Sequence, residues 1–413
     1  MKPAALLIAS TALVAAACNS TSVPPAPSAP TFGPASGPPA GGAPADVSGV
    51  SSGPWYEGQH DSTHSNTSSA RGPINATARW TIKLGAPVID GPAIGTDGTI
   101  YQTTDDGVLH AISLATGTVD WTLSDGAAIS DPDLSITPAV LPSGIILWPA
   151  ANDELDAVSP TGKLLWQSKL GGRALSPTLA ADGEVIATDG SGGVQALRPT
   201  ASGPNVEWST KVGAVSYSSP AVAPDGTIYT TADSDLVAIN ASSGKPVVKW
   251  RFKAGAAIEV SPTVASGGTV ILGTNDAYEY GINASGGVAW RYRRTVFSYS
   301  SPAATTDGLA YFGDNNGNVD VVNAANETVV GRYAALTKPL SSNGVGVWTA
   351  PVVDTHHDVY FGTASGHIVG FGYDGTPLFD IATGATVSAY PALASDGTLV
   401  IGSSNGTLYA LKS

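Results

Sequence analysis

The sequence predicts an all-β fold, an eight-bladed β-propeller with four antiparallel strands per blade. Three observations predict it. A unit such as "SSPAVAPDGTIYTTADSDLVAI", Ser218 to Ile239, recurs along the chain, as in "DGPAIGTDGTIYQTTDDGVLHAI" from Asp90 and "AYPALASDGTLVIGSSNGTLYAL" from Ala389. The prolines that open the units (Pro92, Pro138, Pro177, Pro220, Pro262, Pro302, Pro351 and Pro391) are spaced by 46, 39, 43, 42, 40, 49 and 40 residues. A period near forty with four short strands is a propeller blade's length. The last unit stops at Ser413 after three strands, and the missing strand stands at the other end as "ARWTIKLG", Ala78 to Gly85. The N-terminal strand is therefore expected to complete the last blade and close the ring, which removes exposed sheet edges.

Within each unit the elements follow from local chemistry. An apolar pair after the Pro makes a short inner strand. Asp97-Gly98, Asp182-Gly183, Asp225-Gly226, Asp307-Gly308 and Asp396-Gly397 make the first turn, because Asp bonds its own backbone and Gly accepts positive φ. A β-branched run such as "TIYQTT" is the second strand and "VLHAIS" the third. The fourth carries an aromatic 28 to 31 residues after the Pro: Trp121, Trp166, Trp208, Trp250, Trp290, Tyr333 and Phe379. Trp80 supplies it for the closing strand, and the six tryptophans Trp80, Trp121, Trp166, Trp208, Trp250 and Trp290 are expected to pack between blades.

Composition agrees with this fold. The 413 residues include 49 Gly and 30 Pro, and only 13% are charged, as many tight turns require. A net charge of -14 disfavours phosphate backbones, so no nucleic acid is expected as a partner. The single cysteine, Cys18, excludes an intramolecular disulfide.

The N-terminal region divides by composition. Residues 1–17, with Lys2 and an apolar run from Ala4 to Ala17, form an export signal too short to span a membrane as an ordinary helix. "LVAAAC" resembles a bacterial lipoprotein signal, which implies acylation at Cys18; Ala15 departs from the usual Leu, Val or Ile. Residues 18–54 are a Pro/Ser/Ala/Gly-rich tether with nine prolines after Cys18. The 36 residues after Cys18 would reach about 110 Å as polyproline at ~3.1 Å each. Residues 55–77 read as a lead-in packed on the propeller, and residues 78–413 as the propeller itself.

The repeat resembles the quinoprotein-type propeller family, named for pyrroloquinoline quinone. Its motif, Ala-x-Asp-x-x-Thr-Gly-x-x-x-Trp, stands here as "AISLATGTVDW" (Ala111 to Trp121) and "AVSPTGKLLW" (Ala157 to Trp166), with Ser113, Ser159, Asn240 and Asn283 at the Asp position. The repeats also resemble the non-catalytic propeller lipoprotein of the outer-membrane β-barrel assembly machinery. The opening "WYEGQHDSTHSNTSSARGP", Trp55 to Pro73, is similar to that of secreted repeat proteins of the same type.

The resemblance implies two activities, which the residues separate. Quinone chemistry needs a divalent cation held by carboxylate and amide oxygens, an Asp base and, in many members, adjacent cysteines. The cysteines are absent and no matched carboxylate set can be placed, so no cofactor is expected; pyrroloquinoline quinone with Ca2+ is the alternative. Other constellations reduce to turns. His60, Asp61 and His64 lie in a Gly/Ser/Thr/Asn-rich stretch without helical periodicity, expected to hydrogen-bond across blades rather than hold zinc. "DNNGNVD", Asp314 to Asp320, mimics a calcium loop but aligns with ordinary turns. His356-His357 reads as a solvated turn. No Gly-x-Ser-x-Gly elbow occurs.

Two features remain for binding. The loops "DGAAISDPDLSITP" before Pro138 and "LTKPLSSNGVGVWTAP" before Pro351 are the longest between blades. With aromatics ahead of inner strands they make a candidate rim: Asp131, Asp133, Tyr217, Tyr299, Trp348 and Tyr390. Lys249, Arg251, Lys253, Arg291, Arg293 and Arg294 on two successive outer strands are read as edge protection, or else a docking patch. The expectation is an exported, lipid-anchored, monomeric binding or scaffold protein of the cell envelope, possessing no catalytic residues. Its partners would be an envelope protein or complex and, through the anchor, a membrane. The alternatives are a quinone- or metal-dependent oxidoreductase and a carbohydrate-binding surface protein.

Overall fold

Eight four-stranded antiparallel sheets make up the computed structural model, with one short 3-10 turn, Ser266–Gly268, among the described residues. These are residues 55–129, 136–213, 218–242, 244–294, 296–297, 299–326, 328–334 and 346–413. In seven blades the strands follow chain order from a two-residue innermost strand outward. The eighth is built from both ends of the fold: β30 (Ala392–Leu393), β31 (Leu399–Gly402), β32 (Thr407–Lys412) and then β1 (Thr77–Lys83). β1 pairs antiparallel with β32, Trp80 opposite Ala410, and so closes the ring.

Every blade has a bulge where the outermost strand meets its neighbour, as at Ala111/Ile112, Ala238/Ile239 and Ala78/Trp80. A bulge raises local twist, which bends each sheet into a blade. The first turns are as the Asp-Gly pairs predict. Asp97 Oδ1 accepts from Thr99 N at 2.9 Å and Asp225 Oδ1 from Thr227 N at 2.9 Å.

The apolar core lies between blades. Ala93, Tyr101 and Leu109 of blade 1 pack on Val140, Ile146 and Trp148 of blade 2, and equivalent layers recur around the ring. The outer-strand aromatics bolt these layers together. Trp80, Trp121, Trp166, Trp250 and Trp290 each donate Nε1–H to a backbone carbonyl of the following blade: Leu114, Pro160, Thr200, Ala284 and Ala324. Trp208 is buried in the layer between blades 3 and 4. Tyr333 does the same work through its hydroxyl, which donates to Tyr373 O at 3.1 Å.

The lead-in crosses the axis of the ring and touches every blade in turn. Trp55 O accepts from Ile94 N, Tyr56 O from Val140 N, Ser62 O from Val222 N, Thr63 O from Val264 N, Ser65 O from Ala304 N and Asn66 O from Val353 N. At blade 3 a side chain takes over, Glu57 Oε2 accepting from Leu179 N at 2.6 Å. At blade 8 Ser68 Oγ donates to Leu393 O. All these partners lie at the C-terminal ends of innermost strands. The strap therefore stoppers the channel at the end where the Asp-Gly turns lie.

Candidate functional site

The mouth at the inter-blade-loop end is lined by the residues that precede each strand-opening proline, most of them buried. Several carry hydroxyls, and neighbours join them: Ser261 Oγ accepts from Ser219 N and Ser301 Oγ from Ser261 N, both at 3.1 Å. Gly91 holds the same position in blade 1, where a Cβ would stand 3.0 Å from Tyr390 Cβ. That gap lets Tyr390 turn into the channel, where its hydroxyl bonds with Ser301 and burial raises its pKa.

Two parts of the mouth differ in chemistry. Around blades 1 to 3 it is polar and buried. Asp90 Oδ1 accepts from Ile136 N at 3.2 Å, while Oδ2 has no hydrogen-bond partner. Burial pushes the Asp90 carboxyl up to about 7; the Asp105 charge adds to this and Arg173 opposes it. Gln102 Oε1, Thr103 Oγ1, Asp105 Oδ1 and Thr137 Oγ1 are also buried without hydrogen-bond partners. Unmet buried polar groups are costly, so this quadrant is suited to a polar guest or water.

Around blades 6 and 7 the mouth is aromatic. Phe297 and Tyr299 meet edge to face at 5.4 Å, and Tyr299 and Trp348 at 6.4 Å, both at 87°. Trp348 is oriented by its Nε1–H, which donates to Asn315 Oδ1 at 2.9 Å. Phe297 and Tyr299 are 38% and 42% exposed. Aromatic rings left in water at a mouth are suited to sugars or to apolar and proline side chains.

Of the sequence-derived rim, the structure thus brings Tyr299 and Trp348 together and sets Tyr390 apart, inside the channel. Asp131, Asp133, Tyr217 and the lipidation candidate Cys18 lie outside the described residues. Phe297 was not singled out in the sequence; its only signal was an aromatic two residues before Tyr299.

The remaining candidates are structural. His64 is buried against Pro262 O at 3.0 Å, with burial lowering its pKa to about 4. His60 stacks on Trp55 at 4.6 Å. Asp314 spends both carboxylate oxygens within its own turn, on Asn316 N and Asn318. His357 corrects the expectation of a solvated turn: it is buried, bonding Tyr311 Oη at 2.9 Å and facing Asp307 at 3.3 Å. The turn folds inward because Tyr311, buried between blades 6 and 7, needs a polar partner for its hydroxyl.

The basic row is also divided. Arg294 is buried as an ion pair with Glu279 at 2.8 Å, each 1% exposed. Arg251 turns to blade 3, donating to Val212 O. The pleat explains the division, since alternate residues of a strand face opposite neighbours.

The family described as outer membrane protein assembly factor BamB matches residues 129–214 and 201–413. The chain belongs to this family. Among solved structures, BamB from Moraxella catarrhalis is similar to it with a TM-score of 0.64 and 15% identity, over 82% of this chain and 100% of that one. Quinohemoprotein alcohol dehydrogenase from Comamonas testosteroni is similar with a TM-score of 0.64 and 13% identity, over 87% of this chain and 80% of that one. At such identities the likeness speaks for the fold alone. No curated protein sequence matches the chain.

The dehydrogenase's name raises the question of a quinone. Among the described residues no group of three or more His, Cys, Asp or Glu side chains is placed to hold a metal ion, and Tyr390 fills part of the channel. No chemical step is derived through a quinone.

Proposed function

We propose that this BamB-family propeller is an exported, lipid-anchored binding or scaffold protein of the cell envelope, working without catalysis. In this reading the loop-bearing end of the ring receives a segment of an envelope protein. The observation that carries it is the Phe297–Tyr299–Trp348 cluster, in which Phe297 and Tyr299 are exposed, held on a rigid ring whose other end is stoppered. Binding residues set on loops of a rigid scaffold is the expected arrangement for recognition. Membership of the assembly-factor family supports an envelope setting.

A carbohydrate-binding reading is favoured by a separate observation, the unpartnered oxygens of Asp90, Gln102 and Thr137 in the polar quadrant. A hydroxyl-rich ligand would supply the missing bonds.

The test is a crosslinked pull-down of the full chain from its native membranes, alongside Cys18→Ala and Tyr299→Ala/Trp348→Ala. Recovery of one envelope complex with wild type, and its loss with the aromatic variant, would support the proposal. Loss of membrane association with Cys18→Ala would support the anchor. Glycan-array binding that is lost with Gln102→Ala, with no protein recovered, would favour the carbohydrate reading instead.

A further inference from the structure

Five large aliphatic side chains are exposed on the outermost strands: Leu164, Val206, Val247, Val248 and Val288. Four of them occupy one register on blades 2 to 5, opposite Val158, Leu197, Ile239 and Ile282. Beside the last of them, between blades 4 and 5, is a groove of about 570 Å³ lined by Phe252, Lys253, Tyr280, Val288, Trp290 and Arg291. Its floor is aromatic, with the Phe252 and Tyr280 rings 5.1 Å apart. Lys253 and Arg291 make its wall cationic, and Arg293 follows two residues on along the same strand. The guanidiniums of Arg291 and Arg293 lie 5.3 and 5.8 Å from the centre of the Tyr278 ring. Stacking on one ring holds both in place, in a protein whose net charge is -14.

We propose that this groove is the docking site of an extended acidic segment of a partner protein, independent of what the Phe297–Tyr299–Trp348 cluster binds. Charge complementarity supports the acidic character. Arg291 and Arg293 point to the same side of the strand, about 6.8 Å apart, the spacing of alternate side chains in an extended chain. Carboxylates at alternate positions would meet both, while the intervening apolar residues lie on Phe252, Tyr280 and Val288. The outermost strands β17 (Val247–Lys253) and β21 (Val288–Arg293) end their sheets, so their outer backbone groups are available to an added strand. An anionic lipid surface fits less well. The floor is recessed between two blades, where a flat headgroup surface does not reach.

The test is fluorescence anisotropy of the full chain with two labelled synthetic peptides, Glu-Val-Glu-Phe-Glu-Val-Glu-Val and its counterpart with Gln for Glu. The Glu peptide is expected to bind with an affinity that falls with salt, and the Gln peptide at least tenfold more weakly. Arg291→Glu/Arg293→Glu should weaken the Glu peptide at least tenfold while the β-sheet circular dichroism spectrum is retained, and Lys253→Glu should weaken it less. Tyr299→Ala, in the exposed aromatic cluster, should leave it unchanged. Equal binding by wild type and the double-arginine variant would overturn the proposal. So would no binding of the Glu peptide together with arginine-dependent sedimentation on phosphatidylglycerol vesicles.

Discussion

The indole of Trp80, on the first strand of the ring, donates its Nε1–H to Leu114 O at 2.8 Å, on blade 1. The strand carrying Trp80 belongs to blade 8, so this bond spans the seam where the ring closes. Gly117 lies under the indole with φ +73°, and a Cβ there would come within 2.7 Å of the ring. Trp80→Ala should cost about 3 kcal/mol by urea unfolding, the usual scale for truncating a large packed ring. Gly117→Ala should also lower the melting temperature, through strain and overlap. Unchanged unfolding in both variants would mean that the seam is not held here.

Glu57 tests the strap. Its carboxylate alone serves blade 3, where backbone carbonyls of the strap serve six other blades. Glu57→Ala leaves Leu179 N without its acceptor and should cost about 1–3 kcal/mol. Glu57→Gln keeps an acceptor and should recover most of that loss. Equal stability of the two variants would show that the bond contributes nothing.

The buried pair Glu279–Arg294 should behave asymmetrically. Burial pushes the Glu279 carboxyl up to about 7 despite the Arg294 charge. Arg294→Met strands that carboxyl and should destabilise by about 3–5 kcal/mol at pH 8, whereas Glu279→Met/Arg294→Met should lie much nearer wild type. A double-mutant cycle on the unfolding free energies measures the difference.

Asp90 should make stability depend on pH. Its folded pKa, about 7, is above the ordinary carboxylate value of 3.8. A raised carboxyl pKa favours the folded state fully below the unfolded value, and that advantage is lost as pH rises through about 7. Asp90→Asn should therefore gain on wild type between pH 4 and 8, by at most about 4 kcal/mol. Parallel pH profiles for the two proteins would place the Asp90 carboxyl in a well-solvated site.

The repeat was legible because each unit repeats its own local chemistry. Pro opens the inner strand, Asp-Gly makes the turn, and the outer aromatic docks on the next blade. The seam at Trp80 was legible for the same reason, since a three-stranded last unit needs a fourth strand. His357 was misread because a His-His pair at a turn resembles a solvated loop; its partner, the Tyr311 hydroxyl, is 46 residues away. The aromatic rim was half legible. Tyr299 and Trp348 were visible before their prolines, but the Phe297 contact depends on where one loop folds.

The sequence by itself determined eight blades, the closing strand and the residues that bolt neighbours together. Those follow from short-range propensities and a period. The tertiary structure decided the rest: the strap touching all eight blades, the ionisation of Asp90, and the division of the basic row into a buried pair and a groove. Each depends on burial and on which blade a side chain faces, and neither is encoded in local pattern. A strand's alternation gives two sides, and only packing around the ring assigns each side its neighbour.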